Sequence, residues 1–368
     1  MKVIIAGAGI AGLAIAWRLA QAGADVEIYD RGLAGRGATW AAAGMIAPGA
    51  ELKDESEELA RFARASRAAW PDFAAELEAE SACSIGYGEP GSLILACEGA
   101  RAQLLEQRAR QLVSSGVDAE FLTPAVLRRR ENLLSSALHG ALHIPGDAQV
   151  DNRLVGEALR SALSRRNVAV HENTEIRGLL IAENRVRGVM CSSGAVPGDA
   201  VIVASGAWLN EFAGSAALPP VTPVKGQMVA VEPPAGTKLP RQLLWGEDVY
   251  LVTRGSRVLI GATVEDAGFD TSVSTEACSR LVAAAARIIP ALAGWRVSEM
   301  WAGLRPRTPD GAPVIGACAV EGLYVAGGQF RNGILFAPAV ADAMRRIVLT
   351  SQPVAEIRSF GPGRFTAG

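Results

Sequence analysis

Three glycines near the N-terminus are spaced to hold a phosphate. Lys2-Val-Ile-Ile-Ala6 is a short, nearly all-apolar run suited to a buried parallel strand. Gly7-Ala-Gly9-Ile10-Ala11-Gly12 follows at once and completes a G-x-G-x-x-G pattern. Each glycine has its own task. Gly7 allows a tight turn, Gly9 lets backbone approach a pyrophosphate, and Gly12 lets the next helix pack on the strand. The helical spacing of Leu13, Ala16, Trp17 and Leu19 continues to Gly23, a plausible stop. A helix beginning here turns unpaired N–H groups and a positive dipole end toward an anion. Val26-Glu-Ile-Tyr-Asp30 reads as a second strand ending in an acid, with Arg31 adjoining. Asp30 would accept hydrogen bonds from a ribose, which makes the whole a dinucleotide-binding pattern.

A second run of small residues begins within ten residues of Asp30, in Arg36-Gly-Ala-Thr39-Trp-Ala-Ala42-Ala43-Gly44-Met45. Small side chains let the backbone come close to a further ligand group, and Arg36 and Thr39 can reach phosphate. The same residues also suit a flexible loop. Two more strand-then-glycine units lie far downstream: Ala200-Val-Ile-Val-Ala204 leads into Ser205-Gly206-Ala-Trp208, and Gly322-Leu-Tyr-Val-Ala326 leads into Gly327-Gly328. A dinucleotide clasped from the start, middle and end of a chain is larger or more enclosed than one served by a single βαβ unit. The glycine motif by itself fits FAD and NAD equally; the acid in place of a basic pocket favours an unphosphorylated ribose.

Composition excludes several other classes. The chain has 368 residues, with 36 Lys and Arg against 38 Asp and Glu, a net charge of −2. No basic excess is available for a nucleic-acid backbone. Apolar residues at 49% and charged ones at 20% exclude disorder and suffice for about two domains. Five scattered cysteines without a C-x-x-C argue against a disulfide framework and against a thiolate metal site. Three histidines give a zinc site or a Ser-His-Asp triad little to work with. The uncharged run Val3–Trp17 is too short to span a bilayer, which takes about 20 apolar residues, and lacks a signal-peptide cleavage pattern. We therefore expect a soluble, cytoplasmic protein with no metal, no nucleic acid and no membrane partner.

With these strings in hand, the chain resembles the D-amino-acid oxidase family of FAD-dependent oxidoreductases, in the branch of enzymes that oxidise glycine and sarcosine. The resemblance runs through GAGIAG with Asp30, RGATWAAAGM, Gly146-Asp-Ala-Gln-Val-Asp151 and VIVASGAW. It continues in Trp301-Ala-Gly303-Leu-Arg305-Pro-Arg-Thr-Pro-Asp310-Gly and Gly327-Gly328-Gln329-Phe330-Arg331-Asn332-Gly333-Ile334. It implies FAD, with Thr174, Glu175, Ile176, Gly303 and Gly328 added to the cofactor-binding set. The backbone of Asn332, Gly333 and Ile334 would face the flavin O2 edge as an oxyanion-hole-like row of N–H groups. It also implies that Arg305 grips a substrate carboxylate, which a guanidinium can do through two parallel hydrogen bonds. Tyr250 would donate to the same carboxylate, Arg331 would line the pocket or its entrance, and Met45 and Val264 would be apolar lining. Without the resemblance, Arg305 could equally be a surface ion-pair partner and Tyr250 core filler. Some relatives carry His where Gln329 stands, so no imidazole role transfers to that place. Sarcosine-oxidising relatives hold flavin through a Cys at the position of Gly303, so non-covalent FAD is expected here.

The family fold implies an α/β chain with a discontinuous FAD-binding Rossmann-type domain (1–84, 147–219 and 304–368). The inserts 85–146 and 220–303 would form a smaller α+β substrate domain on a mixed sheet. The implied activity is oxidative deamination of a small amino acid, glycine first. The products would be glyoxylate, ammonia and hydrogen peroxide, with the imine available for thiazole formation in thiamine synthesis, and a homodimer or tetramer is implied. No side chain stands out as a base for the substrate amine. N-methyl-amino-acid oxidase, D-amino-acid dehydrogenase, non-catalytic flavin-binding subunit and NAD-dependent dehydrogenase remain alternatives.

Overall fold

Val3, Ile4 and Ile5 are wholly buried because their strand, Lys2–Ala6, lies inside a six-stranded sheet. Across this sheet the order is Val314–Ala317, Leu323–Gly327, Ala200–Val203, Lys2–Ala6, Asp25–Tyr29 and Ala169–His171. All neighbours are parallel except the first pair. Parallel strands of this apolar kind need cover on both faces. On one face the helices Ile10–Gln21, Glu57–Ser81, Asn152–Arg165 and Gly333–Thr350 gather around Trp17, Trp70, Phe73 and Phe336. On the other lies a three-stranded antiparallel sheet, Ile176–Ala182, Arg185–Cys191 and Gly194–Pro197. Its Val186, Val189 and Cys191 pack on Ile4, Val201 and Val203. The expected hairpin turn at Glu183 and Asn184 is there, both residues having positive φ as a two-residue turn demands. The structure, a computed structural model, describes residues 1–51, 55–211 and 218–365. Small parts of the three segments expected to form the FAD-binding domain therefore fall outside the described residues.

The second sheet has eight strands. From one edge they are Arg296–Arg307, Thr222–Glu232, Arg257–Gly261, Tyr250–Arg254, Leu243–Trp245, Ser92–Leu95, Ala141–Ile144 and Glu120–Leu122. One pair, Leu243–Trp245 with Ser92–Leu95, is parallel, so the sheet is mixed. Helix Thr275–Ile288 covers one face through Cys278, Leu281, Ala285 and Ile288. The other face presents Met228, Leu259 and Trp301 to Ala41, Ala43, Ala47 and Ala50. The alanine run thus sits where the two sheets approach, and larger side chains would hold them apart.

Strand boundaries differ from the sequence reading where pairing overrides local pattern. The strand expected over Gln227–Glu232 begins at Thr222, and Arg296–Arg307 runs past residue 303, because these two pair along their whole length. The strand expected from Asp248 begins at Tyr250, since Gly246 N–H donates to the Val249 carbonyl in the preceding turn. Among the described residues no helix is long and apolar enough to cross a membrane.

Candidate active site

A cavity of about 1150 Å³ lies between the two sheets, at the upper end of the size that small-molecule sites occupy. Its first wall is the turn after the opening strand. Gly7 adopts φ +108°, and a Cβ there would press within 3.0 Å of the Ala204 and Ser205 backbone. A Cβ on Gly12 would collide with the Gly7 carbonyl oxygen, so helix Ile10–Gln21 reaches the strand only because residue 12 has no side chain. Gly9 differs from both: a Cβ there would meet only Thr39 Oγ1, at an ordinary 3.5 Å. Asp30 accepts from Ala8 N–H at 2.7 Å and from Gly32 N–H at 2.8 Å, and its carboxylate lines the cavity as well. Thr39 also lines the cavity, with its O–H still available as a donor. Its oxygen accepts from Ile10 N–H at 2.8 Å, bracing the helix start.

The small-residue run is held from behind. Asn152 Nδ2 donates to the carbonyls of Thr39 (2.7 Å) and Trp40 (3.1 Å). Arg254 Nη2 donates to those of Ala43 and Val150, both at 2.7 Å. Asp151, whose carboxylate caps helix Asn152–Arg165, pairs with Arg254 at 3.0 Å. Gly44 has φ +75° and no room for a Cβ against the Val150 carbonyl, so chain 39–45 keeps one path along the cavity.

The far end carries the groups suited to a carboxylate. Arg305, on strand Arg296–Arg307, lays its guanidinium over Gly226, where any Cβ would collide with it. One nitrogen donates to the Thr263 carbonyl at 3.1 Å. Backing and tether fix its direction, and other N–H donors of the fork remain for a ligand. The Tyr250 ring lies against Gly261, with its hydroxyl 3.6 Å from Met228 Sδ. Burial pushes the Tyr250 phenol up, opposed by the Arg305 guanidinium, so at neutral pH it is a neutral O–H donor. Arg331 is exposed toward this space, its guanidinium 5.1 Å from the Phe330 ring centre.

The cavity wall includes Gly7, Gly9, Ile10, Ala11, Asp30, Arg31, Arg36, Thr39, Ala42, Ala43, Gly44 and Met45. It also includes Glu175, Ile176, Ser205, Gly206, Trp208, Tyr250, Val264, Gly303, Arg305, Arg331, Gly333 and Ile334. Four residues expected on it are not. Gly12 lies beneath the floor, for the packing reason given above. Thr174 N–H donates to the Asp30 carbonyl at 2.7 Å, so Thr174 supports the strand end instead. Gly328, at φ +63°, is pressed against the Thr308 side chain. Asn332 is the N-cap of helix Gly333–Thr350, its N–H bonded to the Gln329 carbonyl. Sequence reasoning missed Glu51, which shares the wall with Arg305, Arg331 and Tyr250. An acid eight residues beyond Ala43 gives no signal until the fold brings it back to two arginines.

A dinucleotide cradle opening into a space with two guanidiniums and a phenol defines an oxidoreductase-type site on an α/β fold. The chain belongs to the FAD dependent oxidoreductase family, whose model matches residues 2–347. Over 98% of each chain it is 33% identical to glycine oxidase of Pseudomonas aeruginosa. The crystal structure of glycine oxidase from Geobacillus kaustophilus superposes with a TM-score of 0.93 at 32% identity, covering 99% of each chain. The bifunctional ThiO/ThiG protein of Trichormus variabilis is 33% identical over 99% of this chain and 55% of its own length. The chain thus spans about half the length of the bifunctional relatives it matches.

The residues present fit FAD. Ser205 and Gln329 line the cavity, and Ser205 Oγ and Gln329 Nε2 are buried without a protein hydrogen-bond partner among the described residues, as groups awaiting a polar ligand would be. The glycine turn, Asp30 and the start of helix Ile10–Gln21 would take the pyrophosphate and ribose, and Gly333 and Ile334 would lie toward the flavin ring. No cysteine lines the cavity among the described residues, and a Cβ at Gly303 would collide with Ala41 Cβ. Acid precipitation of the yellow protein is accordingly expected to leave all flavin colour in the supernatant. Colour on the pellet would show a covalent link.

Proposed function

We propose that the protein is an FAD-dependent oxidase of a small amino acid, glycine first, producing glyoxylate, ammonia and hydrogen peroxide. The observation that carries this reading is Arg305, tethered and backed so that its fork faces Tyr250 in the space beyond the glycine cradle. The names of the full-length relatives support the same choice. Bound FAD supplies a two-electron acceptor for hydride from the carbon beside nitrogen. The chain supplies orientation. Arg305 holds the carboxylate in a fixed plane, and the Tyr250 hydroxyl donates to the same group. Met228, Met45 and Trp245 make the space around the α-carbon apolar and poor in water. Arg331 adds positive potential that draws anionic substrates in.

Residues 1–84, 147–219 and 304–368 are the proposed FAD-binding domain, with 85–146 and 220–303 as the substrate domain. A cytoplasmic dimer or tetramer belongs to the same proposal, as does use of the product imine in forming the thiazole of thiamine. Five unpaired cysteines suit a reducing compartment. A substrate panel of glycine, sarcosine and D-alanine, read by peroxide release and by dye reduction, tests the core claim. Peroxide with glycine fastest is expected. Faster sarcosine would make the protein an N-methyl-amino-acid oxidase, and dye reduction without peroxide would make it a dehydrogenase.

A further inference from the structure

Glu51 ends the short helix Pro48–Glu51, immediately after the alanine run. That helix is pinned by Asp147, 1% exposed, whose carboxylate accepts from Gly49 N–H at 3.1 Å and Ala50 N–H at 3.2 Å. Ala50 is buried in the core behind it. Glu51 is thereby aimed into the part of the cavity that holds Arg305, Arg331 and Tyr250. Five other acids line the cavity: Asp30 holds the glycine turn, Glu175 pairs with Arg177 at 3.7 Å, Glu211 with Arg31 at 3.5 Å and Asp248 with Arg287 at 3.7 Å, while Glu247 adjoins Asp248 in the turn before Tyr250. Among the described residues, Glu51 is the carboxylate whose charge acts on the Tyr250 phenol.

We propose that Glu51 accepts the ammonium proton of the bound amino acid. The inference rests on reading this cavity as an amino-acid site. A zwitterion held at Arg305 by its carboxylate presents an ammonium that cannot release hydride from the adjacent carbon, because the nitrogen lone pair needed to form the C=N bond is occupied. Proton transfer turns R–NH₃⁺ and the Glu51 carboxylate into R–NH₂ and the neutral acid. With FAD bound, the flavin would supply the acceptor for hydride from the α-carbon, the nitrogen lone pair would form the C=N bond, and a protonated imine would depart to hydrolysis. Glu51 returns its proton to water.

The groups facing Glu51 come from four places in the fold. Arg305 and Arg331 favour its charged form, Asp147 opposes it, and Tyr250 stands beside it as a neutral phenol. Burial outweighs the two arginines and pushes the carboxyl up to about 7, where a base working at neutral pH is most effective. This also answers the lack of a base in the sequence: no His is needed where an enclosed carboxyl titrates in the same range.

The decisive measurement is the pH dependence of kcat/KM for glycine in the holoenzyme and in E51Q. In the wild type, kcat/KM should fall on the acid side as Glu51 takes up a proton near pH 7. In E51Q that limb should move upward to the titration of the amine itself, with a loss of roughly 10²-fold or more at pH 7.5 and recovery at high pH. A uniform loss at all pH values, or an unmoved limb, would overturn the proposal. Calorimetry gives a readout independent of turnover. Acetate binding to the wild type at pH 8, in buffers of different protonation enthalpy, should take up a proton, since an anion at the arginines drives Glu51 neutral. Uptake should vanish in E51Q. Should E51Q fail to retain flavin, E51D must keep the limb near pH 7, and absence of proton uptake by the wild type overturns the proposal without any variant. Failure to bind acetate at all would remove the amino-acid reading itself, whereas proton uptake with an unmoved limb would remove only Glu51's part.

Discussion

Arg305→Ala is expected to lower kcat/KM for glycine by between ~30-fold and a few thousand-fold, with most of the change in KM. The size follows from what is lost. A desolvated guanidinium–carboxylate pair is worth on the order of 2–5 kcal/mol when one partner is removed, and 1.4 kcal/mol is a factor of ten. The structure concentrates this effect in Arg305. Its guanidinium rests on Gly226 and donates to the Thr263 carbonyl, so little ordering remains to be done when a ligand arrives. Arg331 has no such bracing and is exposed, so Arg331→Ala should cost about fivefold or less, within the range of a screened charge. Arg305→Lys keeps the charge and loses the planar fork, and should fall between the wild type and Arg305→Ala. Flavin content and melting temperature of Arg305→Ala should stay close to the wild type, because the side chain belongs to no core cluster. If kcat/KM were unchanged, the carboxylate would be held elsewhere and the assignment of this end of the cavity would be wrong.

The parts legible in the sequence are those set by backbone geometry. A G-x-G-x-x-G between two apolar strands leaves little freedom, since the structure puts Gly7 and Gly12 against backbone atoms that any Cβ would strike. The alanine run was equally readable as a loop. It became a wall because two sheets approach across it, and that approach depends on Asn152 and Arg254, polar residues more than a hundred positions away. Their carbonyl contacts have no local signature. The same holds for Glu51. Its sequence neighbours carry no sign of a site, while its chemistry comes from two arginines on strand Arg296–Arg307 and beside helix Gly333–Thr350. Likeness to a family points to Tyr250, Arg305 and Arg331, and the fold adds that they share one cavity wall. The same likeness points to Thr174 and Asn332, and the structure gives them supporting hydrogen bonds behind the wall.

Gly12→Ala and Gly9→Ala should separate packing from ligand approach, although both replace one glycine of the same motif. At residue 12 the added methyl group collides with the Gly7 carbonyl, a backbone atom that can yield only if the helix start lifts from the strand. Overpacking of this kind costs about 1–3 kcal/mol. Lifting the helix also moves the turn and the N–H groups that face the cavity. The apoprotein should melt lower than the wild type, and the purified variant should be colourless. At residue 9 the methyl group meets Thr39 Oγ1 at 3.5 Å, which the protein tolerates, but it projects where a pyrophosphate must approach. The Gly9→Ala apoprotein should therefore melt like the wild-type apoprotein and gain little on adding FAD, whereas FAD at 100 times its dissociation constant should stabilise the wild type by about 2.7 kcal/mol. Thermal melts of the three proteins, wild type included, with and without FAD, together with flavin fluorescence titration, read both effects. Undiminished FAD affinity in Gly9→Ala would mean that the pyrophosphate does not lie over this turn. The dinucleotide would then enter the cavity by another wall, and the roles given to Asp30 and the helix start would have to be withdrawn with it.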